Sequence, residues 1–453
     1  MTEPPPFRRD RLFQAWSAVA GVSLAGDAAW FVAFAWTAAT VTGPATAGLL
    51  LGVGTIPRAV TALYGGALAD RHDSRRVVIA ANAGRIAVLL TGAVVAGWVG
   101  ITVPLLLIIA VCFGVLDAVY NPAAMTLPRQ LVRTDDLPAA SGLMQVAGRL
   151  ARFGGAPLGG VLVAVGGLQL VMVVDAFTFV VVAAFVGFAL KPRFPRVLSS
   201  TGSTRRDLAA AFAYLRETPY VRALVVSLSG LNLFVGPALA VGVTLHVHRS
   251  GWGSATVGIA DALVGVGAAV GALVAIRLRS SQPARTGLLI LVGQAAAIAV
   301  IGFAGRPLLL VATTVIGVTA GLASTQLSGA FQQLVDPAYL GRMGAVTSLG
   351  DDVLMPVAMV GFGALVGAAG LAVTCLATGL GFVSLVTWAL ARLRRAAPVE
   401  TTCRSGPGTG SRWFGTRPSR SGTKTHDAGD ERRPRWQSRN ALGKARARKA
   451  SST

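Results

Sequence analysis

The stretch Gly65-Gly66-Ala67-Leu68-Ala69-Asp70-Arg71-His72-Asp73-Ser74-Arg75-Arg76 decides the fold, because it sets five charges and a histidine between two long apolar runs. Ala45 to Ala69 before it carries one charge, Arg58, and Val77 to Trp98 after it carries one, Arg85. A hydrocarbon core about 30 Å thick takes roughly 20 apolar residues per helix, so the block reads as a short polar loop joining two membrane helices.

Runs of the same kind recur about twelve times along the 453 residues, and the composition agrees. The chain is 53% hydrophobic and 13% charged, with 55 glycines and a mean hydropathy of +0.63, which is too apolar for a water-soluble protein of this size. A transmembrane barrel would show segments of about 10 residues alternating in polarity, whereas these runs are continuous and rich in Gly and Ala. The formal charge of +22 invites a nucleic-acid reading, but 13 of the 41 Lys and Arg fall in residues 396–453, and most of the remainder lie in alternate loops. That is the pattern of membrane topology, and no nucleic-acid partner is expected. Cys112, Cys375 and Cys403 are far apart and give neither a disulfide nor a zinc framework. His72, His246, His248 and His426 form no metal or triad spacing. Neither an enzyme nor a bound cofactor or metal is expected.

Apolar runs between polar breaks place helices near 12–39, 46–69, 76–98, 102–125, 139–165 and 168–190, then near 221–247, 255–277, 285–304, 307–330, 342–367 and 371–393. The first follows Arg8, Arg9 and Arg11 and is too long for a cleaved signal; Trp30, Phe31, Phe34 and Trp36 mark its outer end. Connections at 41–45, 99–101, 166–167 and 368–370 carry no charge, while the opposite side collects arginines such as Arg129, Arg133, Arg193, Arg216, Arg277 and Arg342. Both termini are therefore expected in the cytoplasm. The expected fold is an all-α membrane protein of two six-helix bundles, residues 1–190 and 221–395, related by pseudo-two-fold symmetry. Residues 191–220 form a cytoplasmic linker in which Leu208, Ala211, Phe212 and Leu215 share one helical face. Residues 396–453 are a basic tail too poor in apolar groups to bury a core. Two short similarities support duplication: Arg129-Gln130-Leu131-Val132 recurs as Gln332-Gln333-Leu334-Val335, and Gly66-Ala67-Leu68-Ala69 as Gly271-Ala272-Leu273-Val274.

Ionisable side chains at helix centres cost roughly 2.5–3.5 kcal/mol each even on insertion scales, so each needs a reason. Asp27, Arg58, Asp117, Asp261 and the pair Asp351 and Asp352 fall within apolar runs, as do Arg85 and Asp175, and Arg149 and Arg152 share a face at i, i+3. Acids and bases are nearly balanced, which fits pairing across helices. Desolvation and a nearby guanidinium act in opposite directions on the proton affinity of a carboxylate, so opening to either side can load or release a proton. Arginine stays charged and serves as the partner. In the fifth run, Gly155 and Gly159 form a GxxxG pair that permits close backbone approach.

The opening block resembles the loop between the second and third helices of major facilitator superfamily transporters, Gly-x-x-x-Asp-Arg-x-Gly-Arg-Arg or Lys. Gly66, Asp70, Arg71, Arg75 and Arg76 fit it, with Asp73 and Ser74 where the commoner pattern has Gly and Arg. Gly154 to Gly160 is similar to the antiporter signature Gly-Pro-x-x-Gly-Gly, with Pro157 displaced by one position before Gly159 and Gly160. Ser23 to Asp27, Ile56-Pro57-Arg58 and Asn121-Pro122-Ala123 look like the macrolide-efflux and enterobactin-exporter branch, and the likeness covers residues 7–395.

The resemblance implies that the first, second, fourth and fifth helices of each half border a central cavity while the third and sixth lie outside. On that analogy Arg85 and Asp175 are structural, and Asp27, Arg58, Asp117, Arg149, Arg152, Asp261, Asp351 and Asp352 belong to the proton and substrate path. It also implies a gate in which Asp70 faces the start of the eleventh helix. The implied function is proton-coupled efflux of a small amphipathic compound, such as a drug, antibiotic or siderophore-like metabolite, by a monomer in the bacterial plasma membrane. Its partners would be the lipid bilayer, protons and that small-molecule substrate. Proton-coupled nutrient uptake and a non-transporting sensor or scaffold are the rival readings.

Overall fold

The computed structural model describes residues 9–69, 73–190, 193–194, 204–278, 280–336 and 339–395, all of it helix and connecting turn. Asp70 and Arg71 of the loop motif lie outside the described residues, as does the tail from residue 396. The helices are α1 (Arg11–Val41), α2 (Pro44–Ala69), α3 (Ser74–Val99), α4 (Val103–Leu131), α5 (Leu137–Ala184), α6 (Thr204–Glu217) and α7 (Pro219–Pro237). They continue with α8 (Thr244–Arg249), α9 (Ser254–Arg277), α10 (Pro283–Val300), α11 (Arg306–Leu334), α12 (Leu340–Ala369) and α13 (Leu371–Arg395).

Among the described residues, ten helical segments are long and apolar enough to cross a membrane. One of them, Thr134–Ala189, has 56 residues, roughly 80 Å at about 1.5 Å per residue, far more than a single crossing needs. It is broken by a kink where Gly166 (φ −136°, ψ 16°) and Gly167 (φ 66°, ψ −167°) leave helical geometry. The positive φ of Gly167 is cheap only for glycine. Residues 137–165 and 168–184 are therefore two limbs of α5.

Local chemistry sets the helix ends. Asp10 caps α1, accepting from the backbone N–H groups of Leu12 at 3.0 Å and Phe13 at 3.3 Å. Asp73 caps α3, accepting from Arg75 N–H at 3.0 Å, and the Ser74 hydroxyl accepts from Thr126 Oγ1 at 2.7 Å. The two residues that depart from the family loop pattern thus start the third helix. The duplicated tetrapeptides also occupy matching places. Val132 ends α4 and Val335 ends α11, each in extended backbone with its N–H on the carbonyl four residues earlier.

The pairing of helices recurs. The α1 contact with α5 has its counterpart in α7 with α12, α2 with α4 in α9 with α11, α3 with α4 in α10 with α11, and α3 with α5 in α10 with α13. Two further crossings, α2 with α12 and α5 with α9, join the two sets. Small residues make these crossings possible. A Cβ on Gly155 or Gly159 would stand 2.1 Å from the Ala25 oxygen or 2.5 Å from Ala29. The GxxxG pair therefore packs α5 onto α1, inside one set. Gly160 and Gly258 make the crossing between sets: a Cβ on Gly258 would stand 2.7 Å from the Ala156 oxygen and from Pro157 Cα, and Ser254 Oγ donates to the Gly160 carbonyl at 2.8 Å.

The linker helix α6 buries Ala211 and Leu215 against Val335 and Met343, and leaves Phe212 about half exposed. The face expected from sequence is split, because Phe212 stands a third of a turn away from Ala211. Tyr214 stacks on Tyr339, with centroids 4.4 Å apart and planes at 8°. Ahead of α6, the Arg193 and Phe194 N–H groups both donate to the Gln130 carbonyl, and the Arg193 guanidinium pairs with the buried Asp10.

Candidate functional site

The site starts from Arg85. Its side chain is fully buried and lies over three rings, with the guanidinium carbon 4.1 Å from the centroid of Tyr120, 5.0 Å from Phe179 and 5.5 Å from Phe113. A cation there needs a counter-charge, and Asp117 on α4 supplies it through Oδ1. Asp117 Oδ2 accepts from Arg58 Nη2 of α2 at 2.6 Å and from Asn121 Nδ2 at 2.9 Å. One carboxylate thus joins α2, α3 and α4. The expectation that Arg85 is a structural group on an outlying helix is met only in part, since its guanidinium ends on the same acid that holds Arg58.

Asp27 on α1 belongs to the same cluster. The charges of Arg85, Asp117, Arg152 and Arg58 all act on it, and its Oδ1 is buried with no hydrogen-bond partner among the described residues. Asp175, on the second limb of α5, lies against Gly26, where a Cβ would come within 2.2 Å of its Oδ1. Thr178 Oγ1 donates to that oxygen at 3.1 Å. Asp175 was read from sequence as structural, and Tyr120 and Asn121 were missing from the sequence-derived site, marked only by the Asn-Pro that follows Tyr120. Glycine at position 26 is the local reason the two acids can be neighbours.

Arg149 and Arg152 are exposed along α5, and Arg152 acts electrostatically on both Asp27 and Asp261. Asp352 on α12 feels Arg58, so the α2 guanidinium lies between an acid of its own set and one of the other. Asp351 is apart from this cluster. Its Oδ2 accepts from Asn232 Nδ2 at 2.9 Å, and both line a cavity of about 310 Å³ with Ser328, Thr347 and Ser348. Asp261 opens instead onto a cavity of about 230 Å³, walled largely by apolar side chains of α1, the π-helical turn Ala238–Val243, α9 and α12.

Arg75, expected in the loop gate, reaches the end of the α5 segment: Nε donates to the Val186 carbonyl at 2.7 Å and Nη2 to the Gly187 carbonyl. Arg76 follows it on the first turn of α3. Gly66 is within α2.

These features, two repeated sets of helices with a cluster of charges among the helices of the first, are matched by a known family. The model of the Major Facilitator Superfamily fits residues 16–359. The chain belongs to the major facilitator superfamily. The ten long apolar helical segments among the described residues suit a multi-pass membrane member of that superfamily. Among curated relatives of this superfamily member, the enterobactin exporter EntS of Citrobacter koseri is 28% identical over 259 residues, 54% of this chain and 57% of that one. EntS of Shigella dysenteriae serotype 1 is 27% identical over 255 residues, with the same shares. The chain spans a little over half the length of these relatives. A mutant of the nucleoside transporter NupG superposes with a TM-score of 0.70 at 12% identity, covering 84% of this chain and 100% of that one. A bacterial homologue of the human lysosomal transporter Spinster, inward-facing and unoccupied, gives 0.67 at 14% identity, covering 86% and 97%. At such identities the likeness is of fold.

Proposed function

We propose that this protein is a proton-coupled exporter of a small amphipathic compound that works by alternating access. The α5 segment counts as two crossings and α2 as one more, which gives twelve spans with both termini in the cytoplasm. Residues 1–190 and 221–395 are the two moving bundles, 191–220 is the linker and 396–453 a tail. Export follows the relatives matched over half their length. The observation that supports proton coupling is Asp27: a carboxylate oxygen buried without a hydrogen-bond donor among the described residues, acted on by the charges of two arginines already engaged by Asp117. A rearrangement that brings Arg85, Arg58 or Arg152 closer, or takes it away, changes the affinity of Asp27 for a proton. Arg152 extends that influence to Asp261 and the apolar cavity.

Asp27→Asn keeps the size of the side chain and removes its titration. In proteoliposomes, the flux of an exported dye driven by an imposed proton gradient should fall at least about tenfold, the effect expected when a proton-transfer group is lost, while insertion is unchanged. Gradient-driven flux at the wild-type level would remove Asp27 from the coupling path.

Orientation has its own test. With the native cysteines removed, a cysteine at Gly370 should react with an impermeant thiol reagent applied outside intact cells, and one at Ser203 should not. The reverse pattern means that the topology is inverted.

A further inference from the structure

Asp261 is a solvent-exposed carboxylate on the wall of a largely apolar chamber. It opens onto the cavity of about 230 Å³, and among the described residues it makes no ion pair; Arg152 acts on it only at longer range. A second polar group there is equally unspent. Thr244 is 1% exposed and lines the same cavity, yet among the described residues its Oγ1 has no hydrogen-bond partner. Helical threonines ordinarily return the hydroxyl to a carbonyl three or four residues back, as Thr37 does to Ala33 at 2.8 Å and Thr374 to Gly370 at 2.8 Å. Thr244 follows the π-helical turn Ala238–Val243, a form of helix that gathers at functional sites. Phe31 adds an aromatic ring to the wall.

We propose that this chamber binds a small amphiphile with one protonated amine, the ammonium donating to the Asp261 carboxylate and the Thr244 oxygen while the hydrocarbon body fills the apolar wall. An ammonium brings three donors and no acceptor, so it suits a carboxylate, a free hydroxyl oxygen and the face of a ring. An anionic ligand meets Asp261 as a like charge. A neutral ligand leaves the carboxylate unpaired. The assignment rests on the reading of the chain as a transporter whose substrate path passes between the bundles, and it adds the charge of the cargo.

The test is equilibrium binding, with no gradient, to the full chain in lipid nanodiscs, using 4-phenylbutylamine, 4-phenylbutanol and 4-phenylbutanoate. These share one hydrocarbon body and differ in the head group. The amine should bind about tenfold tighter than the alcohol, equivalent to about 1.4 kcal/mol, and the carboxylate weakest. Asp261→Asn should bring amine and alcohol within about twofold of each other, the loss of that same 1.4 kcal/mol. Asp261→Glu should keep the preference, because the carboxylate remains. The proposal is overturned if the carboxylate binds tighter than the amine, if the preference survives Asp261→Asn, or if none of the three binds. The wild-type ranking decides by itself should the Asn variant not fold. A protein that shows this ranking but moves nothing under a gradient sinks the transport reading and leaves the chamber's selectivity standing.

Discussion

Asp117→Asn should destabilise the protein by on the order of 3–5 kcal/mol, the cost of breaking a buried ion pair by removing one partner. The asparagine keeps the volume and an acceptor oxygen but gives up the charge. Arg58 can tolerate this, because its side chain is 52% exposed and water can replace the carboxylate. Arg85 cannot, because its side chain is 0% exposed and its Nε and Nη1 already lack hydrogen-bond partners among the described residues. The three rings around it offset part of the loss, about 0.5–2 kcal/mol each at most. Since the net stability of folded proteins is about 5–15 kcal/mol, the variant should yield much less monodisperse protein and melt well below the wild type. Arg58→Met should cost only about 0–1 kcal/mol, as exposed pairs do. The double variant Arg85→Met with Asp117→Asn should recover most of the loss, because a buried pair replaced on both sides is often neutral. A thermal-melting cycle over these variants checks the assignment. Equal losses for Arg58→Met and Asp117→Asn would show that the buried guanidinium is not the source.

That cluster also shows what a sequence can and cannot disclose here. The ten apolar spans among the described residues follow from hydropathy, because lipid forces long apolar helices. The expected breaks at 166–167 and 368–370 coincide with Gly167 and Gly370, both at positive φ. Partnerships are another matter. Hydropathy cannot say that Arg85, on a helix expected to lie outside the cavity, reaches inward to Asp117, since that depends on the rotation of α3 and on the space left among Tyr120, Phe179 and Phe113. The glycine motif was legible as a packing device, but not in its address. Gly155 and Gly159 face α1, and Gly160, next in sequence, faces α9, because neighbouring helical positions point about 100° apart. Asp351 and Asp352 divide the same way, one towards Asn232 and the other towards Arg58. Arg75 fits a loop motif in sequence, yet its guanidinium closes the end of another helix.

Gly48→Leu combined with Gly258→Leu should abolish turnover while leaving the protein inserted and folded. The two glycines lie at the crossings of α2 with α12 and of α5 with α9. A Cβ on Gly48 would stand 2.6 Å from the Met359 oxygen and 2.9 Å from Gly363 Cα, and one on Gly258 2.7 Å from the Ala156 oxygen. Backbone lies on both sides, so no flexible side chain can yield. Both crossings are near the loops assigned to the outer face, where Trp36 of α1 also meets His248 of α8 edge-on at 5.6 Å. Larger side chains there penalise only the state in which the outer end is shut. Overpacking costs about 1–3 kcal/mol per site, and about 5.5 kcal/mol turns a 99:1 equilibrium into 1:99. Two substituted crossings therefore approach what is needed to hold the outer end open, and either substitution alone should give a partial effect. A cysteine at Ala35, buried in the wall of the 230 Å³ chamber, reports the change. In a background without the native cysteines it should resist an impermeant thiol reagent added outside, and become reactive in the double glycine variant. Transport at the wild-type rate with Ala35→Cys still protected would mean that these crossings never separate during turnover, and the alternating-access reading would fail with them.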